Sequence, residues 1–78
     1  MITIDDIKTL LENANLKGIK VNNLQEDLPL TEQGLDSLDM FNVFLNIEKK
    51  YTIKIEDSDF DFLKTIKDIV YFLNTKIG

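Results

Sequence analysis

The residues best placed to do chemistry form one run, Gly34-Leu35-Asp36-Ser37-Leu38-Asp39-Met40. A loop ends in glycine, an Asp-Ser-Leu step follows, and a strongly apolar helical pattern begins there. This order puts a serine hydroxyl at a helix start with carboxylates close by. Serine in such a place is most often only an N-cap or first-turn residue, and that plain structural role stays open. A serine acting as nucleophile within the chain needs a neighbouring base, and the sequence has no histidine. A Ser–Lys pair stays open, but no oxyanion hole or substrate pocket is indicated, so hydrolysis is a poor reading. An acceptor role demands less. Another enzyme then brings the base, the metal and the phosphoryl donor, and this chain only presents an exposed hydroxyl on a rigid frame. The free N–H groups and positive dipole end of a helix N-terminus favour a phosphodiester there.

The elements that must hold this serine are legible from periodicity. Residues 3–15 read as a first helix. Thr3 and Asp6 form a capping-box variant, and Ile4, Ile7, Leu10, Leu11 and Ala14 share one face. Residues 15–36 form a long connection with Gly18, Asn22, Asn23, Pro29 and Gly34, in which a short strand or one helical turn stays open. Its apolar residues, Leu16, Ile19, Val21, Leu24, Leu28, Leu30 and Leu35, are expected to tie it to the helices. Residues 37–50 read as a second helix with Asp36 as N-cap. Met40, Val43, Ile47 and Tyr51 fall on its core side. Leu38, Phe41 and Leu45 lie at the edge of the apolar arc, beside the polar stripe, and either pack inside or form an exposed patch for partner contact.

Residues 52–55 alternate but are too few to suggest a sheet. Residues 56–63 read as a brief third helix with Phe60 and Leu63 turned inward. Asp57, Asp59 and Asp61 have the spacing that opens a calcium loop, but the sixth position is Phe62 rather than Gly and the twelfth is Asp68 rather than Glu. No dedicated metal site is expected, and loose divalent binding stays open. Residues 65–76 read as a last helix, capped by Thr65 and Asp68, with a core stripe of Ile66, Ile69, Val70, Leu73 and Ile77.

Composition narrows the function classes. The 78 residues suit one domain, 1–78, with one small core. Without cysteine or histidine there is no disulfide framework and none of the usual zinc ligands. The absence of cysteine fits a reducing compartment, and a cytoplasmic location is expected. No signal peptide or membrane-spanning run is read. The net charge is −5, and its excess lies around Ser37: residues 21–48 hold Glu26, Asp27, Glu32, Asp36, Asp39 and Glu48 and no lysine. Such a field repels nucleic acid and anionic membrane and attracts basic docking faces, although on charge alone a generic solvated surface is the better reading.

Taken together, the chain resembles the acyl carrier proteins. The resemblance covers nearly its whole length: helix, long loop, Asp-Ser-Leu helix, short third helix and last helix. Gly34 matches the glycine before the family's motif, and Glu48-Lys49-Lys50-Tyr51 its charged run and aromatic. Ile55-Glu56-Asp57 is similar to its Ile-Pro-Asp entry to the third helix, with Glu56 in place of proline. Thr65-Ile66-Lys67-Asp68 is similar to its Thr-Val-x-Asp start of the last helix.

The resemblance implies an all-α, four-helix bundle with no catalysis of its own. Ser37 would carry a covalent 4′-phosphopantetheine arm, derived from coenzyme A, whose thiol holds an acyl group as a thioester. A phosphopantetheinyl transferase and acyl-loading and acyl-processing enzymes would be its partners, and a monomer is expected. Asp36, Leu38, Asp39, Phe41, Asn42, Leu45 and Glu48 would form the partner surface. Phe44, Ile55, Phe60 and Leu63 would line a cleft for the acyl chain, or simply pack the core. Carriers of fatty acid synthesis usually have glutamate where Asn42 stands and more acids where Lys49 and Lys50 stand, so the resemblance points to a specialised carrier serving fatty-acid, polyketide or related biosynthesis. Two other readings remain: an aminoacyl or peptidyl carrier of the nonribosomal or D-alanyl type, and an unmodified helical interaction module.

Overall fold

A computed structural model describes residues 1–77. Helices α1 (Ile4–Asn13), α2 (Ser37–Tyr51), α3 (Asp57–Phe60) and α4 (Ile66–Ile77) follow one another, and no strand occurs among the described residues. Two 3₁₀ turns, Val21–Asn23 and Leu30–Gln33, break the long connection between α1 and α2.

The three longer helices start where side chains replace missing helical partners. In α1, Asp6 N–H donates to Thr3 Oγ1 at 3.2 Å, and Thr3 N–H donates to Asp6 Oδ2 at 2.9 Å. The bond from Thr3 N–H holds the Asp6 carboxyl below its ordinary value of 3.8, against a smaller opposing effect of burial. In α4, Asp68 and Thr65 exchange the same pair of bonds at 2.9 and 3.0 Å. The caps fix where each helix begins, and the apolar spacing then decides which face turns inward.

That face is one continuous cluster. Ile7, Leu10 and Leu11 of α1 meet Val43 and Ile47 of α2 and Ile66, Ile69 and Leu73 of α4. From the connection, Leu16, Val21, Leu24, Leu30 and Leu35 are buried in the same cluster, while Ile19 and Leu28 are half-buried. The connection is thus an ordered strap, held by a side chain every few residues. Asn74 fastens the start of the chain to α4, its carboxamide exchanging bonds with Ile2 N–H and C=O at 2.8 and 3.0 Å. Ile77, expected in the core stripe of α4, is 51% exposed. Asn74 is already level with Ile2, so Ile77, three residues further on, lies beyond the start of α1.

The passage from α2 to α3 is a tight one. Thr52 ends α2 in the left-handed region at φ 53°, donating its N–H to Glu48 O. The Glu48 carboxylate then accepts from Ile55 N–H at 2.8 Å. Glu48, half-buried, thus serves the chain's own turn through one carboxylate oxygen. Helix α3 is a single turn, shorter than the expected 56–63. One turn cannot direct both Phe60 and Leu63 inward: Leu63, beyond the helix, is buried, while Phe60 remains 36% exposed. The Asp59 carboxylate folds back onto Glu56 N–H at 3.0 Å, so the acidic spacing of this segment works as a helix cap. Among the described residues, no group of three or more acidic or other ligating side chains is placed to hold a metal ion. None of the described helices is long and apolar enough to cross a membrane.

Candidate functional site at the start of helix α2

Gly34 closes the second 3₁₀ turn at φ 107°, a conformation that side chains disfavour, and an added Cβ would come within 3.1 Å of Ile19 Cδ1. The chain can then drop Leu35 into the core and turn Asp36 outward as N-cap. Asp39 N–H donates to Asp36 Oδ1 at 2.8 Å, and Asp36 N–H donates to Asp39 Oδ2 at 3.1 Å. This capping box is a job for Asp39 beyond the sequence reading, and the Asp-x-x-Asp spacing was its signal.

Ser37 is the first residue of α2 and is exposed. Its acidic neighbours direct these bonds to backbone N–H groups, leaving its hydroxyl outside the capping box. The serine is thereby held on a rigid helix end without a local base. Such a hydroxyl is a poor nucleophile by itself and a good acceptor for chemistry performed from outside.

A groove of about 340 Å³ opens beside it, lined by Thr31, Ser37, Met40, Phe41, Phe44 and Phe60. It continues into a hollow of about 330 Å³ reached by Pro29, Glu32 and Lys64. Of the four cleft candidates, Phe44 and Phe60 form its wall, their rings stacked with centroids 5.0 Å apart. Ile55 and Leu63 lie in the core and are not part of the lining. Met40, expected on the core side of α2, and Thr31, of which nothing was expected, complete the groove. Met40 is one helical turn from Ser37 and could have been found by that spacing, whereas Thr31 lies in a segment without periodicity.

The outer face of α2 carries Leu38 at 74% exposure, Phe41 at 55% and Leu45 at 37%. Asn42, Lys49 and Lys50 are exposed on the same helix. Ser37 is exposed, and the groove that adjoins it is mainly apolar.

Comparison with known proteins agrees with this arrangement. Residues 6–73 match the family described as "Phosphopantetheine attachment site". The chain is 32% identical to an acyl carrier protein of Campylobacter jejuni over 75 residues, 95% of either chain. It is 29% identical to one of Thermotoga maritima over 62 residues, 78% of this chain and 76% of the other. It is 25% identical to one of Chlamydia caviae over 75 residues, again 95% of either chain. With a capped helix presenting a free serine, and a family match running through nearly all of its elements, the chain belongs to the acyl carrier protein family: non-catalytic carriers whose working group is a covalently attached 4′-phosphopantetheine.

Proposed function

We propose that Ser37 bears the arm and that the protein carries acyl thioesters in a specialised biosynthetic route. One observation carries this reading: an exposed hydroxyl in the first turn of α2, beside an apolar groove walled by Met40, Phe41, Phe44 and Phe60. The arm supplies a thiol for thioester formation. The chain's own residues do the rest. The Asp36–Asp39 capping box holds the helix start, and Ser37 offers its oxygen to a phosphopantetheinyl transferase. The groove offers apolar surface beside the attachment point.

Leu38, Phe41 and Leu45, with Asp36 and Asp39 at their rim, are the surface we assign to the transferase and to acyl-processing enzymes. Asn42, Lys49 and Lys50 make that surface less acidic than a housekeeping carrier's, which supports a dedicated partner set. The net charge of −5 and the absence of cysteine support a monomer in a reducing, cytoplasmic setting.

The test is the intact mass of protein co-expressed with a transferase and coenzyme A, with fragment mapping of the added group. Wild type gains one phosphopantetheine on Ser37, and Ser37→Ala folds equally well and gains none. An arm on the mutant, or none on the wild type, overturns the assignment. Loading the arm-bearing form with acyl or aminoacyl donors then separates an acyl carrier from an aminoacyl carrier.

A further inference from the structure

The segment from Gln25 to Gln33 is closed on itself by one side chain. Gln33 Oε1 accepts from Gln25 N–H at 2.7 Å, and Gln33 Nε2 donates to Gln25 O at 2.9 Å and to Leu28 O at 2.8 Å. Three of the four bonds available to a carboxamide are therefore made to irregular backbone. The closed loop is sewn to the rest of the fold at two points. Leu30 N–H donates to Lys64 O at 2.8 Å, and Lys67 N–H donates to Glu26 O at 3.0 Å. Gln33 is also the last residue before the left-handed Gly34, four positions ahead of Ser37. The turn that it closes carries Thr31, which stands in the groove wall with Ser37, Phe41 and Phe60.

We infer that Gln33 is a positioning residue for arm attachment: its carboxamide holds the 25–33 loop so that Thr31 and the start of α2 form one fixed surface for the transferase. The inference rests on the reading of Ser37 as the arm-bearing residue. Ser37 itself is held by the separate Asp36–Asp39 box, so loosening the loop removes docking surface and leaves the reacting hydroxyl in place. A carboxylate at position 33 keeps the acceptor and loses both donations, bringing a negative oxygen against two carbonyls. Asparagine is too short by one methylene to reach both strands of the loop.

The experiment measures arm transfer to wild type, Gln33→Glu and Gln33→Asn with one purified transferase and coenzyme A, alongside thermal unfolding and exchange of the Gln25 amide. Both variants are expected to unfold cooperatively near the wild-type temperature; Gln33→Asn should lose protection at Gln25, whereas Gln33→Glu keeps the acceptor for that N–H and loses the two donated bonds. Their KM as carrier substrates should rise about fivefold or more with kcat within about twofold, the signature of lost binding without lost chemistry. For Gln33→Glu the KM should return toward wild type only as pH falls through about 4, where a glutamate carboxyl gains its proton, while Gln33→Asn shows no such recovery. If both variants are modified with wild-type KM, or if both lose cooperative unfolding, the inference is overturned. If wild type gains no arm at Ser37, it is the underlying reading that fails.

Discussion

The ring of Phe60 lies on that of Phe44, 5.0 Å between centroids and 17° between planes, and joins α3 to α2 beside Ser37. Leu63, three residues further on, is buried to 2% exposure. Two apolar residues of one short segment thus have different jobs. Phe60→Ala should cost only about 1–2 kcal/mol, since its ring is partly solvated. Leu63→Ala should cost about 2–5 kcal/mol. Phe60→Ala should also speed hydrolysis of a bound acyl thioester by widening the groove. Urea denaturation and thioester decay measure the two effects, and equal stability losses at both positions would count against the division.

Leu38 is mostly exposed and Phe41 more than half exposed, so truncation should leave stability within about 0.5 kcal/mol of wild type for Leu38 and about 1 kcal/mol for Phe41. Arm transfer and acyl loading should slow at least about fivefold if these side chains anchor partners. Unchanged kinetics for Leu38→Ala and Phe41→Ala would remove them from the partner surface.

Charge on α2 should decide which enzymes accept the carrier. Mismatched charges slow encounter and penalise wrong partners. Replacing Asn42, Lys49 and Lys50 together by Glu should raise the rate with fatty-acid elongation enzymes, and more at low salt than at moderate salt. Wild-type elongation equal to that of a housekeeping carrier would exclude a specialised role.

Glu48 holds the turn between α2 and α3 through Ile55 N–H. Glu48→Ala should cost about 1–2 kcal/mol, and Glu48→Gln, which keeps an acceptor, clearly less. Thermal unfolding of the two variants is the measurement, and a smaller loss for Ala than for Gln contradicts the assignment.

The capping box of α1 should be visible in acid. Backbone hydrogen bonding lowers the folded-state pKa of Asp6 from 3.8, so the ionised form favours the folded state. That contribution is complete above 3.8 and is lost as pH falls from there through the lowered value. Asp6→Asn should therefore reduce stability at neutral pH and flatten its fall below about pH 4. A wild-type and mutant difference independent of pH would mean that ionisation of Asp6 plays no part.

The three longer helices and their caps were legible because each rests on local spacing: Thr3 with Asp6, Thr65 with Asp68, Asp36 before an apolar run. The serine's place was legible for the same reason. What escaped depends on contacts across the chain. Glu48 meets Ile55 only because Thr52 turns left-handed, and no pattern in the sequence marks that turn. Phe60 misses the core because α3 stops after one turn. Thr31 reaches the groove because Gln33 closes a loop whose bonds run to backbone, where residue type leaves little trace. The family resemblance supplied the cofactor, which spacing alone does not give.

Helix α3 has no buried residue of its own, and one of its four side chains closes the groove through a single ring contact. Regions with few buried contacts open at a fraction of the global unfolding free energy. Amide exchange in α3 should therefore be much faster than in α1 or α4, which share the core and are tied by Asn74. The groove then has its own opening equilibrium, uncoupled from unfolding of the bundle. Mutations that weaken the core would leave it nearly unchanged, and changes to Phe60 or to the Glu48 tether would shift it directly.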